Sequence, residues 1–178
     1  FETHVQKMER AIDRVRQYRE AVGDEVDLCI EIHRRLTPAE AIVLARGIEQ
    51  YHPMFYEDPV LPDNLDSMAL VAEHINIPIA TGERLHTIHE FEMLLARNAV
   101  HYIRPDVCLC GGLTHSKKIA ALAEARMARE RAGAERTRAG ANWRKRDDPN
   151  VTYDKVRANW VQADAAWNKA NADIEKLT

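Results

Sequence analysis

A parallel α/β fold over residues 1–125, followed by a helical tail, is predicted from three observations. Helix-like and strand-like segments alternate there with short loops and no hairpin signals, the pattern of βα units. Glu31, Glu57 and Glu83 recur 26 residues apart, each at the carboxyl end of a strand-like run. The composition then shifts near Ala125–Arg126: residues 1–125 carry 13 Lys+Arg against 20 Asp+Glu, and residues 126–178 carry 12 against 8. All histidines and cysteines precede residue 116 and all tryptophans follow residue 142, so the shift marks a boundary.

The elements follow in order. Residues 1–22 are amphipathic and end at Gly23, a helix stop. VDLCIEIH (26–33) is a buried strand, followed by a helix at 37–51 with Thr37 as cap, Pro38 at its first position and Glu40 three residues after the cap. MFYEDPV (54–60) is a strand stopped by Pro59, and residues 61–75 form a helix. IPIATGE (77–83) is a strand, 87–98 a helix, VHYIRPDVCL (100–109) a strand, and 111–125 a loop and helix. Residues 126–150 read as a basic linker. In 151–178, Tyr153, Trp160, Trp167 and Ile174 recur every seven residues, with Val156, Ala163, Ala170 and Leu177 between them. That is an amphipathic helix. It either packs its aromatic stripe on its own chain, the favoured reading, or forms the seam of a homo-oligomer.

The composition narrows the function classes. The 178 residues carry a net charge of −3, which gives no general attraction to nucleic acid or to an anionic membrane. No run of about 18 apolar residues provides a membrane span. The charged start is not a signal peptide, and with no initiator Met the native chain is expected to begin upstream. Cys29, Cys108 and Cys110 are odd in number and two stand in C-L-C, so they are expected to be reduced thiols of a cytoplasmic protein. HTIHE (86–90) lacks the order of a zinc-protease helix.

The recurring glutamates point to chemistry. One strand–helix unit per interval returns the chain to the same level of the next parallel strand, about 4.8 Å away. Three carboxylates would thus meet at the strand ends, where α/β folds bind ligands. Clustered anions repel unless a cation joins them. An all-oxygen set suits Mg²⁺, with Mn²⁺ satisfying the same preference. Strand alternation places Glu31 and His33 on one face, opposite Leu28, Ile30 and Ile32.

CIEIH, FYEDPVLPDNL, IPIATGERLHT and IRPDVCLCGGLTHSKKIA together resemble the mandelate racemase and muconate lactonizing branch of the enolase superfamily. The nearest likeness is to its sugar-acid dehydratases, the galactonate- and mannonate-dehydratase-like members. The resemblance spans residues 1 to about 125 and implies part of a (β/α) TIM-type barrel. It implies Mg²⁺ held by Glu31, Glu57 and Glu83, although Asp often stands first. It also implies a small-molecule sugar acid as substrate, losing its α proton and β-hydroxyl to give a 2-keto-3-deoxy acid. A bound cation beside the substrate carboxylate makes that proton removable. The same likeness gives His33 the role of the acid on the departing hydroxyl. It has Asp106 orient a basic histidine on a later strand. Arg84, directly after Glu83, is a candidate partner of that glutamate or of substrate.

The pattern then breaks. No histidine follows His115, so the implied base has no match here. A full barrel takes roughly 250 residues, and the amino-terminal capping domain of the family has no counterpart. A truncated or fused chain is expected, with impaired dehydratase activity. The alternative is a non-catalytic remnant whose terminal helix mediates association.

Overall fold

The computed structural model describes residues 2–143 and 153–177. Two compact units are present, Phe1–Leu113 and Thr114–Thr178. The first opens with α1 (His4–Val22) and continues through β1 (Cys29–Glu31), α2 (Pro38–Ile48) and a 3₁₀ turn (Glu49–Tyr51). Next come β2 (Phe55–Glu57), α3 (Leu65–His74), β3 (Ile79–Thr81), α4 (Ile88–Ala96) and β4 (Tyr102–Ile103). All strand pairs are parallel, in the order β1-β2-β3-β4. This is the expected α/β fold: a four-stranded part of a (β/α) barrel.

Local chemistry sets the helix starts. Thr3 with Gln6, Thr37 with Glu40 and Thr87 with Glu90 form reciprocal capping boxes. α3 begins at Leu65 rather than 61, because Asn64 accepts from the Asp66 and Ser67 amides and so fixes the first turn. The apolar faces of α2, α3 and α4 converge on Tyr56, Ile79, Ile48, Met68, Phe91 and Leu94, all fully buried. The Tyr56 hydroxyl donates to the Ala41 carbonyl at 3.3 Å, tying β2 to α2.

The strands are shorter than their apolar runs, and the expectation of a buried first strand fails. β1 is an edge of the sheet, with Cys29 and Glu31 exposed and only Ile30 partly covered. β2 and β3, flanked on both sides, are buried throughout.

The second unit is built on helix α5 (Gly112–Trp143) and helix α6 (Tyr153–Glu175). α5 runs straight through the expected boundary at 125/126, so residues 126–143 are helical instead of linker. Their Ala, Arg, Glu and Met content favours helix and no proline interrupts it. The rest of the expected linker, 144–150, lies outside the described residues. α6 runs antiparallel to α5: Gly133 meets Trp167, Arg136 pairs with Asp164 at 2.6 Å, and Gly140 meets Trp160. Val156, Ala163, Ala170 and Ile174 are buried along this helix, with Ala132 and Ala139 buried on α5. The small seam residues admit close backbones, while Trp160 stays 37% exposed. No described helix is long and apolar enough to cross a membrane.

Candidate metal centre at the strand ends

Register decides which side chains meet. Cys29 lies opposite Phe55 and Glu31 opposite Glu57. Glu57 lies opposite Ala80, and Ala80 opposite Tyr102. Paired residues share a face, so one face of the sheet presents Glu31, Phe55, Glu57, Ala80 and Tyr102. Glu31 and Glu57 close their strands side by side. Glu83 sits two residues past β3, on a turn closed by the Leu85 amide donating to Gly82 O at 3.0 Å.

Glu31 and Glu57 respond to burial and to the charges around them. Burial, and then the charges of Glu57, Asp58 and Glu83, push the Glu31 carboxyl up, against a bond from the His33 amide that pulls it down. Burial raises Glu57 too, with Asp58 and Glu83 adding to it, while the Arg104 guanidinium offsets part of the rise. Yet among the described residues no three His, Cys, Asp or Glu side chains are placed to hold a metal ion.

Two arginines engage these carboxylates instead. Arg34 Nη1 donates to Asp58 Oδ2 at 2.7 Å and also contacts Glu83 Oε1. Burial works against the Arg34 charge, but the bonds to Glu83 and Asp58 outweigh it and raise its pKa. Arg104 Nε lies 3.3 Å from Glu57 Oε1, with its guanidinium over the Phe55 ring. Asp58 is buried and doubly engaged: Thr81 Oγ1 donates to its Oδ1 at 2.5 Å. Arg34, Asp58, Thr81 and Arg104 were not legible as site residues. Only the Glu57-Asp58-Pro59 string hinted at one of them.

The remaining expected residues are placed as follows. His33 does reach Glu31, but by a turn, since the strand ends at Glu31 and His33 and Arg34 have φ of +57° and +64°. The His33 amide donates to Glu31 Oε1, and its ring Nδ1 lies 3.8 Å from that oxygen. Its ring nitrogens lie 2.8 and 3.2 Å from Arg34 Nη2. Asp106 is exposed and accepts from the Cys108 and Leu109 amides at 2.7 and 3.1 Å, closing the turn after β4. Arg84 is exposed beside Glu83, whose cationic partner is Arg34.

The donor set fits a hard divalent cation in its chemistry: oxygen ligands only, mutually repelling, from three consecutive parallel units. A guanidinium already stands in as a cation between two of these strand ends.

Residues 1–132 of the chain are similar to known proteins. Residues 1–132 match the enolase C-terminal domain-like family. A D-galactonate dehydratase of Ralstonia pickettii (strain 12J) is 37% identical over 118 residues, 66% of this chain and 31% of that protein. The crystal structure of a racemase from Streptomyces coelicolor A3(2) with bound magnesium superposes with a TM-score of 0.65 at 34% identity, over 67% of this chain and 33% of that one. A mandelate racemase/muconate lactonizing enzyme-like protein from Roseovarius sp. TM1035 gives 0.67 at 42%, over 68% and 31%. The chain thus spans about a third of the length of the relatives it matches.

Proposed function

The chain belongs to the enolase C-terminal domain-like family, and on that footing we propose that it carries part of the site of a Mg²⁺-dependent sugar-acid dehydratase. The observation behind this reading is the side-by-side register of Glu31 and Glu57, with Glu83 close enough to raise both their pKa values. Glu31, Glu57 and Glu83 would hold the ion, with Mn²⁺ able to replace Mg²⁺. When bound, the cation would supply positive charge beside the substrate carboxylate and so acidify the neighbouring C–H.

The chain's own groups supply the rest of this half-site. His33, with its side chain 56% exposed beside Glu31, would give a proton to a departing β-hydroxyl, which leaves as water. The α proton goes to a base that this sequence does not match after His115. Asp106 holds its turn here, and its part in orienting that base is proposed from the resemblance alone. An aldonate is the substrate class: galactonate by similarity to the Ralstonia pickettii relative, and mannonate from the resemblance of the motifs alone.

The test is metal-dependent stability. Millimolar MgCl₂ should raise the melting temperature of the purified chain, and Glu57→Gln should abolish the rise. Equal melting curves with and without Mg²⁺ and Mn²⁺ would reject the metal site. They would favour a second reading, a non-catalytic remnant. The observation behind that alternative is the engagement of Glu57, Asp58 and Glu83 by Arg104 and Arg34.

A further inference from the structure

The geometry points to Arg34 as a tethered counter-ion: we propose that its guanidinium and a divalent cation compete for Glu83, so that metal enters this cluster only as Arg34 withdraws. The inference rests on the metal reading above and adds what controls it.

Three observations carry it. One nitrogen, Nη1, touches carboxylates from two different strand ends, Asp58 after β2 and Glu83 after β3. The side chain is 15% exposed, against 37% for its partner Glu83. A long cationic side chain gives up much rotamer freedom to be held so deeply, and paired charge compensates for it.

The backbone delivers it there deliberately. The Arg34 amide donates to the Asp58 carbonyl at 2.7 Å, so the residue is clamped to the end of β2. Its φ is +64° and that of His33 is +57°. Two successive non-glycine residues in this region are uncommon. They turn the chain back across the strand ends, where an extended continuation would carry Arg34 away from them. The same turn brings Nη2 against the His33 ring, so the residue that occupies Glu83 also engages the proposed acid.

Competition follows from charge. A guanidinium and a divalent cation bound to the same carboxylate oxygen would lie close enough to repel strongly in a partly buried site. Asp58 can keep the arginine, since its Oδ2 faces Nη1 from outside the Glu31, Glu57, Glu83 set. Movement of one side chain from Glu83 to Asp58 alone then frees Glu83, while the Arg104–Glu57 contact at 3.3 Å is left as it is.

The test measures Mn²⁺ affinity of the full chain by isothermal titration calorimetry, with wild type, Arg34→Gly, Arg34→Gln and Glu57→Gln. Glycine suits a φ of +64°, so Arg34→Gly is expected to fold. Arg34→Gln checks the charge alone. Removing the competitor should tighten Mn²⁺ binding about tenfold or more in both, the worth of a charge-assisted hydrogen bond. If wild type binds, Glu57→Gln does not, and both Arg34 variants bind no tighter than wild type, competition is refuted while the metal site stands. If no variant shows binding that depends on Glu57, the metal reading itself falls, and this inference with it.

Discussion

Gly82 provides a sharp stability test of the geometry that aims Glu83. Its φ is +133°, a conformation that side-chain-bearing residues rarely adopt. A Cβ at this position would lie 2.8 Å from Phe91 Cε1 and 3.2 Å from the Arg104 backbone nitrogen. Neither neighbour can yield cheaply. Phe91 is fully buried, and the Arg104 amide donates to the Thr81 carbonyl at 2.9 Å, next to the β3–β4 pairing. Backbone strain accounts for about 1–3 kcal/mol and overpacking for about 1–3 kcal/mol. Gly82→Ala should therefore destabilise the first unit by about 2–6 kcal/mol, against a total of about 5–15 kcal/mol for an ordinary domain. Gly23→Ala is the packing control: φ is +67° and ψ −165°, a glycine-only conformation, but a Cβ would meet nothing within 4 Å, so backbone strain alone, about 1–3 kcal/mol, is expected. Urea unfolding followed by far-UV circular dichroism gives both numbers. Tryptophan fluorescence, whose reporters all lie after residue 142, separates the second unit. A Gly82→Ala protein within about 0.5 kcal/mol of Gly23→Ala would refute the close packing of this turn and the placement of Glu83 that depends on it.

Other outcomes follow from single contacts. The Thr37 amide, then Lys7 and the Thr37 hydroxyl, hold the Glu40 carboxyl down at about 2 from its ordinary 4.5. A depressed carboxyl contributes stability above its unfolded pKa and loses it as pH falls through the folded one. The cost of Glu40→Ala should be about 1 kcal/mol at neutral pH and should shrink between pH 4.5 and 2, as measured by thermal melts across that range. Thr81→Val removes the donor to buried Asp58 and should cost about 1–3 kcal/mol in urea titrations. A cost under 0.5 kcal/mol would mean that Arg34 alone satisfies Asp58. Phe91→Ala empties the centre of the sheet–helix core and should cost about 3–5 kcal/mol by the same titration.

The fold was legible wherever a local signal and a buried stripe agreed. Thr37, Pro38 and Glu40 announced α2, and the capping box formed as read. Gly23 stopped α1 with its amide on the Arg19 carbonyl. Strand lengths were not legible, because apolar runs extend past the last ladder bond into loops that are also buried, as Val60 is at 2%. The edge position of β1 was not legible either. Alternation reports which side chains agree with one another, whereas exposure depends on whether a neighbouring strand covers them. The helix through residues 126–143 was hidden by charge: arginines suggested a solvated linker, yet arginine and alanine are both strong helix formers.

The site was legible in its anions and illegible in its cations, for a physical reason. Carboxylates at strand ends are positioned by strand spacing, so the first interval of 26 residues matches the Glu31–Glu57 register, whereas the second does not give register: Glu57 lies opposite Ala80 and Glu83 sits on the turn two residues past β3. Arg34 reaches the same point through two left-handed residues. Nothing in the local sequence demands those dihedrals, and no glycine marks the turn. Arg104 arrives from a strand two removed from β2, across the Phe55 ring, a contact that no linear spacing encodes. Repeated acids in a parallel α/β chain therefore concentrate negative charge at the strand ends without establishing which cation answers it. A long arginine one turn away supplies positive charge to Asp58 and Glu83 itself, and under the competition proposed above the affinity for metal would depend on how readily that arginine leaves Glu83.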